Sequence, residues 1–320
     1  MRFRQVGKTD LEICELAFGG ASIETVSEAG AQAVLEAAWT GGIRHFDTAP
    51  HYGPGISEVR MGRFLAEKPR GEFTLSTKVG RLLAPDATGA LQRQLDYSYD
   101  GIMRSVEESR QRMGLDRFDI LLVHDIGPES YGVHGERSHF ADLMDSGWKA
   151  MEQLRREGAC AAIGIGVNGV DICLRVMEQV ALDIILLAGR YTLLDPQAEP
   201  ELLPLCGEES TSILLGGVFN TGILATGAVP GALFQYRPAD EAMLEKTRQL
   251  QAVCVEYGVP LPAAALQFAK DHPAIPSLLV ATASPDQLAA NFANYQYPIP
   301  SEFWARLAEC GLARHYSLDK

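Results

Sequence analysis

Four polar residues close four successive apolar runs of this chain. Asp47 follows His45-Phe46, Lys78 follows Thr74 to Thr77, His124 follows Ile120 to Val123, and Asn168 follows Ala162 to Val167. A carboxylate, an ammonium, an imidazole and an amide can together hold, relay and orient a proton, provided that the fold brings them to one place. Singly, each has a structural explanation: a capping Asp, a snorkelling Lys, a hydrogen-bonded core His, a turn Asn. At the same relative position on consecutive strands they would need four coincidences, and a shared site explains them at once. Tyr52 adds a fifth group in the loop Thr48-Ala49-Pro50-His51-Tyr52-Gly53, where Pro50 and Gly53 break regular structure. An adjacent ammonium would draw its phenol down from about 10 towards working pH, as a general acid or base requires. Asp47 would keep Lys78 charged and oriented.

For these groups to converge, their strands must stand side by side with C-terminal ends together. Short apolar runs alternate with longer helical patterns throughout. The strands read at roughly Leu16 to Phe18, His45 to Asp47, Thr74 to Lys78, Ile120 to His124, Ala162 to Val167, Ile184 to Leu187, Ile213 to Gly216 and Ser277 to Val280. Helical patterns include Ser27 to Thr40, Asp100 to Met113, Asp142 to Gly158, Asp171 to Val180 and Asp240 to Tyr257, several opened by Ser or Asp caps. Eight strand and helix pairs with no Pro/Gly/Ser linker predict an α/β fold of one (β/α)8 TIM barrel domain over residues 1–320. The turn Gly7-Lys8-Thr9-Asp10 predicts an N-terminal β-hairpin closing the barrel's bottom, and Pro260 to Asp271 and Ser301 to Gly311 are expected as extra C-terminal helices. The segment Gly127 to Phe140, with His134 and His139, reads as a loop where substrate contacts are expected. Gly164-x-Gly166-x-x-Gly169, with Asp183 beyond it, superficially fits a dinucleotide fingerprint. Its strand is the fifth of eight, however, and the same residues fit a barrel strand ending in Asn168.

Composition excludes several classes. Lys and Arg total 28 against 41 Asp and Glu, a net charge of −13, which has the wrong sign for neutralising phosphates, so nucleic acid is not an expected partner. Hydrophobic residues at 47% and charged residues at 22% suit a full-sized globular core. No apolar run approaches the roughly 20 residues of a membrane span, and MRFRQVGKTD carries no apolar signal-like core. The six cysteines form no C-x-x-C pair and have no His at metal spacing, so reduced thiols in a cytoplasmic protein with no metal are expected.

Taken together the motifs resemble the aldo-keto reductase superfamily. The stretches that carry the resemblance are Phe18-Gly19-Gly20, Phe46 to Gly53, Ser76-Thr77-Lys78, Asp119 to His124, Gly164 to Asn168, and Pro285 to Asn291, which span almost the whole chain. The resemblance implies a catalytic tetrad in which Tyr52 is the acid/base group, Lys78 and Asp47 tune it, and His124 positions the substrate oxygen. It also implies a nicotinamide cofactor, because no side chain carries hydride. Asn168 would hydrogen-bond the carboxamide and Tyr191 would stack on the nicotinamide; where the family often has a Gln three residues before that Tyr, this chain has Ala188. Thr282, Gln287 and Asn291 fall in the cofactor loop after the eighth strand. Aligned on Asn291, Ala281 and Gln287 stand where relatives carry cations for a 2′-phosphate, and the nearby charge is Asp286. That pattern favours NAD, with NADP possible if another loop supplies an Arg such as Arg237.

Within the superfamily, Asn220-Thr221-Gly222-Ile223-Leu224, Gly258-Val259-Pro260-Leu261 and Pro298-Ile299-Pro300 resemble the branch of sugar and pyridoxal dehydrogenases. The activity this implies is oxidation of a small-molecule sugar or aldehyde, foremost the C1 hemiacetal of an aldose such as L-fucose or L-galactose. His51, Phe219 and Asn220 are the expected substrate contacts. The alternatives are a pyridoxal 4-dehydrogenase, an NADPH-dependent carbonyl reductase and a non-catalytic nicotinamide-binding sensor. The sequence leaves the oligomeric state unknown.

Overall fold

Eight of the strands are too short to be stable singly, and they complete one another by closing into a parallel barrel, which leaves no unpaired edge. A computed structural model describes residues 1–89, 91–127 and 139–319. An antiparallel hairpin, β1 (Phe3–Gln5) and β2 (Glu12–Cys14), precedes the first barrel strand, β3 (Leu16–Gly19). The chain continues through β4 (His45–Asp47), β5 (Thr74–Val79), a second antiparallel hairpin of β6 (Arg81–Pro85) and β7 (Leu91–Leu95), then β8 (Ile120–His124) and β9 (Ala162–Val167). It ends with β10 (Ile184–Ala188), β11 (Ser212–Gly216), the two-residue strands β12 (Leu233–Phe234) and β13 (Arg237–Pro238), and β14 (Ser277–Val280). The barrel runs β3-β4-β5-β8-β9-β10-β11-β14 and closes on β3, all in parallel, with the eight strands of the sequence reading in chain order.

Side chains alternate along each strand between two cores. Ile120, Leu122, Ala162, Ile184, Leu186 and Leu214 fill the interior with Val6 and Ile13 of the N-terminal segment, whereas Leu121, Val123, Ile163, Ile185, Leu187, Ile213 and Leu215 meet the helices outside. Truncating one of the buried leucines to Ala would cost about 2–5 kcal/mol. His124 shares the parity of Ile120 and Leu122, and Lys78 that of Ser76, so both project inward at the C-terminal end. The N-terminal hairpin covers the opposite end: Gly7 donates its N–H to Ser212 Oγ at 2.8 Å. Gly7 has φ +54°, and a Cβ there would stand 2.7 Å from Asp183 O, so only glycine fits that approach.

The structure revises which helices are surplus. Leu261–Gln267 belongs to the ring around the barrel: Ala263, Ala264 and Leu266 are fully buried and Gln267 Nε2 donates to Asn294 O at 2.7 Å, joining it to Pro285–Gln296. The outer pair is instead Glu241–Tyr257 and Ser301–Glu309, joined by an edge contact of Tyr257 with Phe303 at 6.0 Å. The β6-β7 hairpin was not anticipated, although the alternating Leu91-Gln92-Arg93-Gln94-Leu95 run beyond a Gly89 turn is its signal. Of the segment 127–140, residues 128–138 with His134 lie outside the described residues. Among the described residues no helix is long and apolar enough to cross a membrane, and no cluster of His, Cys, Asp or Glu suits a metal ion. Five of the six free cysteines are buried.

Candidate active site

The strand ends dictate the site. Asp47 pairs in register with Ser76, and His124 with Gly166, which sets a carboxylate, an ammonium and an imidazole around one inner wall. Lys78 Nζ donates to Asp47 Oδ2 at 2.6 Å and to Thr48 O at 2.9 Å, and Ser76 Oγ donates to the other Asp47 oxygen at 2.7 Å. Asp47 and Lys78 are almost wholly buried, so the pair is desolvated and persists only because each charge answers the other.

Tyr52 reaches this wall from the loop after β4. Tyr52 N–H bonds to Ala49 O at 3.1 Å and Gly55 N–H to Pro50 O at 2.8 Å, winding the loop tightly into the helix Ile56–Ala66. Thr48 and Ser57 share a hydroxyl bond at 2.8 Å, and Ser57 Oγ donates on to Gly20 O at 2.8 Å, which pins the loop to the barrel rim. The Lys78 ammonium lies over the Tyr52 ring, with Nζ 4.7 Å from the ring centre. The His124 ring meets the Tyr52 ring edge-on at 5.9 Å, and the His51 ring lies 6.1 Å from His124.

Burial and charge set the protonation states. Burial pushes the Tyr52 phenol up, and the opposing pull of Lys78, the effect expected from the sequence, is present but smaller. Burial alone would depress Lys78; Asp47 and Tyr52 outweigh it, and the ammonium is raised. Burial, then Lys78 and Arg81, hold His124 well below 6.5, so it is neutral. His51 is held at about 4, chiefly by burial. His124 Nδ1 is buried with no partner among the described residues, a costly state unless a bound molecule completes it.

Tyr52, Lys78, His124, His51 and Asn168 line one cavity of about 280 Å³ at the C-terminal mouth, the size of a small sugar. A model of the aldo/keto reductase family matches residues 15–312. The chain belongs to the aldo/keto reductase family. Among curated relatives it is 40% identical over 323 residues to D-threo-aldose 1-dehydrogenase of Pseudomonas sp, covering 94% of this chain and 95% of that one. It is 39% identical over 333 residues to pyridoxal 4-dehydrogenase of Microbacterium luteolum, covering 97% of each. A solved aldo-keto reductase from Bacillus halodurans, in its holo form, superposes with a TM-score of 0.79 at 25% identity over the whole of both chains. This aldo/keto reductase is an NAD(P)-dependent oxidoreductase.

The other residues singled out from the sequence of this reductase divide. Asn168 lies at the cavity, its Nδ2 3.5 Å from Asp125 Oδ1. Tyr191 is not among the residues that line it: its ring is buried against Phe268 at 5.1 Å and His272 at 5.7 Å. Asn220 is likewise not among the lining residues and is held by its neighbours, accepting from Thr192 Oγ1 at 2.5 Å and donating to Gly189 O at 3.3 Å. Phe219 is half-buried against the outer core and does not line the cavity. His51 does line it, with Nε2 3.2 Å from Leu82 O. On the eighth-strand loop, Thr282 Oγ1 donates to Gln287 Oε1 at 2.6 Å, Gln287 and Asp286 are exposed, and Asn291 is half-exposed one helical turn on.

The glycine motif is explained by packing: a Cβ at Gly164 would overlap Ile184 O, and Gly166 faces Lys78. Four polar lining residues escaped the sequence reading: Arg81, Arg93, Asp125 and Tyr236. Asp125 directly follows His124, and that adjacency was its only signal. The arginines depend on a hairpin whose approach to the mouth is tertiary.

Proposed function

We propose that this reductase, acting through residues 1–320 as one barrel domain in the cytoplasm, oxidises the C1 hemiacetal of an aldose such as L-fucose or L-galactose to the lactone. The observation that carries the reading is the unbroken contact of Asp47, Lys78 and Tyr52 beside neutral His124 at one wall of a sugar-sized cavity.

The residues present fit a nicotinamide. Asn168 offers an amide that can both donate and accept, matching a carboxamide, and Gly166 and Ala188 leave the adjoining wall nearly flat. Bound there, the cofactor would supply the hydride acceptor. Tyr52, as the phenolate that the Lys78 ammonium stabilises, takes the hydroxyl proton of the substrate and becomes the neutral phenol, while Asp47 holds Lys78 in place. His124, being neutral, can donate a hydrogen bond to the same oxygen without adding charge. The exposed Gln287 and Asp286, where a 2′-phosphate would need cations, support NAD over NADP; Arg237, the alternative cation, is exposed on β13.

Pyridoxal 4-dehydrogenase is the second reading, favoured by the 39% identical relative of that name, since pyridoxal also forms a cyclic hemiacetal. Purified protein with NAD or NADP and a panel of L-fucose, L-galactose, D-arabinose and pyridoxal, followed at 340 nm, tests both. Turnover of a sugar with NAD supports the proposal, and turnover of pyridoxal alone supports the second. Silence across the panel overturns both and leaves an NADPH-dependent carbonyl reductase or a nicotinamide sensor.

A further inference from the structure

The β6-β7 hairpin stands between the strand that bears Lys78 and its helix, and its register has a chemical consequence. Arg81 pairs with Leu95 and Leu83 with Arg93, so Arg81 and Arg93 are diagonal neighbours on one face, about 7–8 Å apart at the backbone. Both line the cavity that holds Tyr52 and His124. Arg93 also donates to His51 O at 3.4 Å, which holds its guanidinium beside the loop that carries Tyr52.

The charges of the cavity do not cancel. Lys78 answers Asp47 at 2.6 Å, and Arg81 answers Asp125 at 2.9 Å. His51 and His124 are neutral, and among the described residues no carboxylate lies within ion-pair distance of Arg93. A chain of net charge −13 thus presents, among the described residues, one unbalanced guanidinium at the mouth of its site. The Arg93 guanidinium presents a planar fork of donors that suits a planar or tetrahedral oxyanion, and Arg81, held by Asp125, stands beside it on the same face of the ribbon.

We propose that Arg93, supported by Arg81, is a specificity-determining residue that grips an oxyanion, a carboxylate or phosphate, carried by the substrate away from its reacting carbon. The inference rests on reading this cavity as the substrate site and extends the class from neutral aldoses to those that also carry an acidic group. A charge-assisted contact of this kind is worth about tenfold or more in affinity.

The test measures binding and turnover separately. Titration calorimetry of NAD-loaded protein with D-galacturonate against D-galactose, and with glyceraldehyde 3-phosphate against glyceraldehyde, gives two matched ratios. The expected result is a preference of tenfold or more for the charged member of at least one pair, which identifies carboxylate or phosphate. That preference should fall about tenfold in Arg93→Gln, be partly kept in Arg93→Lys, and shrink in 0.5 M salt as screening requires. Equal affinity for both members of each pair, or a preference that survives Arg93→Gln in a variant of unchanged melting temperature, overturns the inference. Binding that shows the preference without NAD reduction would instead overturn the dehydrogenase reading and leave this one standing.

Discussion

Gly166 lies against Lys78: a Cβ at residue 166 would stand 3.4 Å from Lys78 Cε and 3.6 Å from Lys78 Cδ. Both distances are ordinary van der Waals contact, so the lysine stem packs along the bare backbone of β9 on its way to Asp47 and Tyr52. Gly166→Ala should therefore leave the ammonium in place and change kcat less than about threefold, whereas the larger Gly166→Val should push the stem aside and lower kcat about tenfold, since catalysis is steep in position. A parental kcat in Gly166→Val would show that the stem has room to spare.

Tyr52→Phe removes the proton acceptor and leaves the cofactor wall intact. The expected outcome is a fall in kcat of about 10² or more, with nicotinamide affinity by fluorescence titration nearly unchanged. Retained turnover would take Tyr52 out of the proposed mechanism.

Because burial holds the Tyr52 phenol above its ordinary value, oxidation, which needs the base form, should speed up continuously as pH rises and show no plateau below about 9. Stability should move with pH for a different reason. His45 is held at about 3 and His51 at about 4, both chiefly by burial. The unfolded chain therefore binds more protons than the folded one below about 6.5. Stability is full above that pH and is lost as pH falls through it, by about 1.4 kcal/mol per pH unit for each such His, until the folded values are reached. Melting curves between pH 7 and 4.5 check the sign.

Gln287 is exposed at the start of the helix Pro285–Gln296, where Ser284 Oγ accepts its N–H at 3.3 Å. Gln287→Arg should improve the use of NADP relative to NAD by supplying a cation for the 2′-phosphate. An unchanged ratio of kcat/KM for the two cofactors would count against NAD selection by this loop.

Asn220 holds φ +45° and ties the loops after β10 and β11 together. Asn220→Ala should cost about 1–3 kcal/mol through the unpaired Thr192 hydroxyl and Gly189 carbonyl. If Asn220 were a substrate contact, KM would instead rise in a protein of unchanged melting temperature.

Much of this was legible in the sequence. Strand period and length marked all eight barrel strands, because inward and outward positions alternate along Ile120 to His124 and Ala162 to Asn168 and helices must follow parallel strands. The polar residues that end those strands were legible as a group for the same reason: parity alone sends Lys78 and His124 inward. Tyr191 and Asn220 could not be placed this way. Both sit on loops, where no periodicity says which way a side chain turns, and packing against Phe268 and the bond to Thr192 decided them. The direction of the Tyr52 shift was also tertiary, since charge can be counted along a chain but the loss of water cannot. Likewise, the β6-β7 alternation could have been read locally, yet its placing of Arg81 against Asp125 and of Arg93 over the mouth depends on strands far apart in the chain. The sequence by itself determined the barrel and the chemistry at its strand ends; the tertiary structure decided which loop residues face that chemistry, because loop direction is set by packing and not by period.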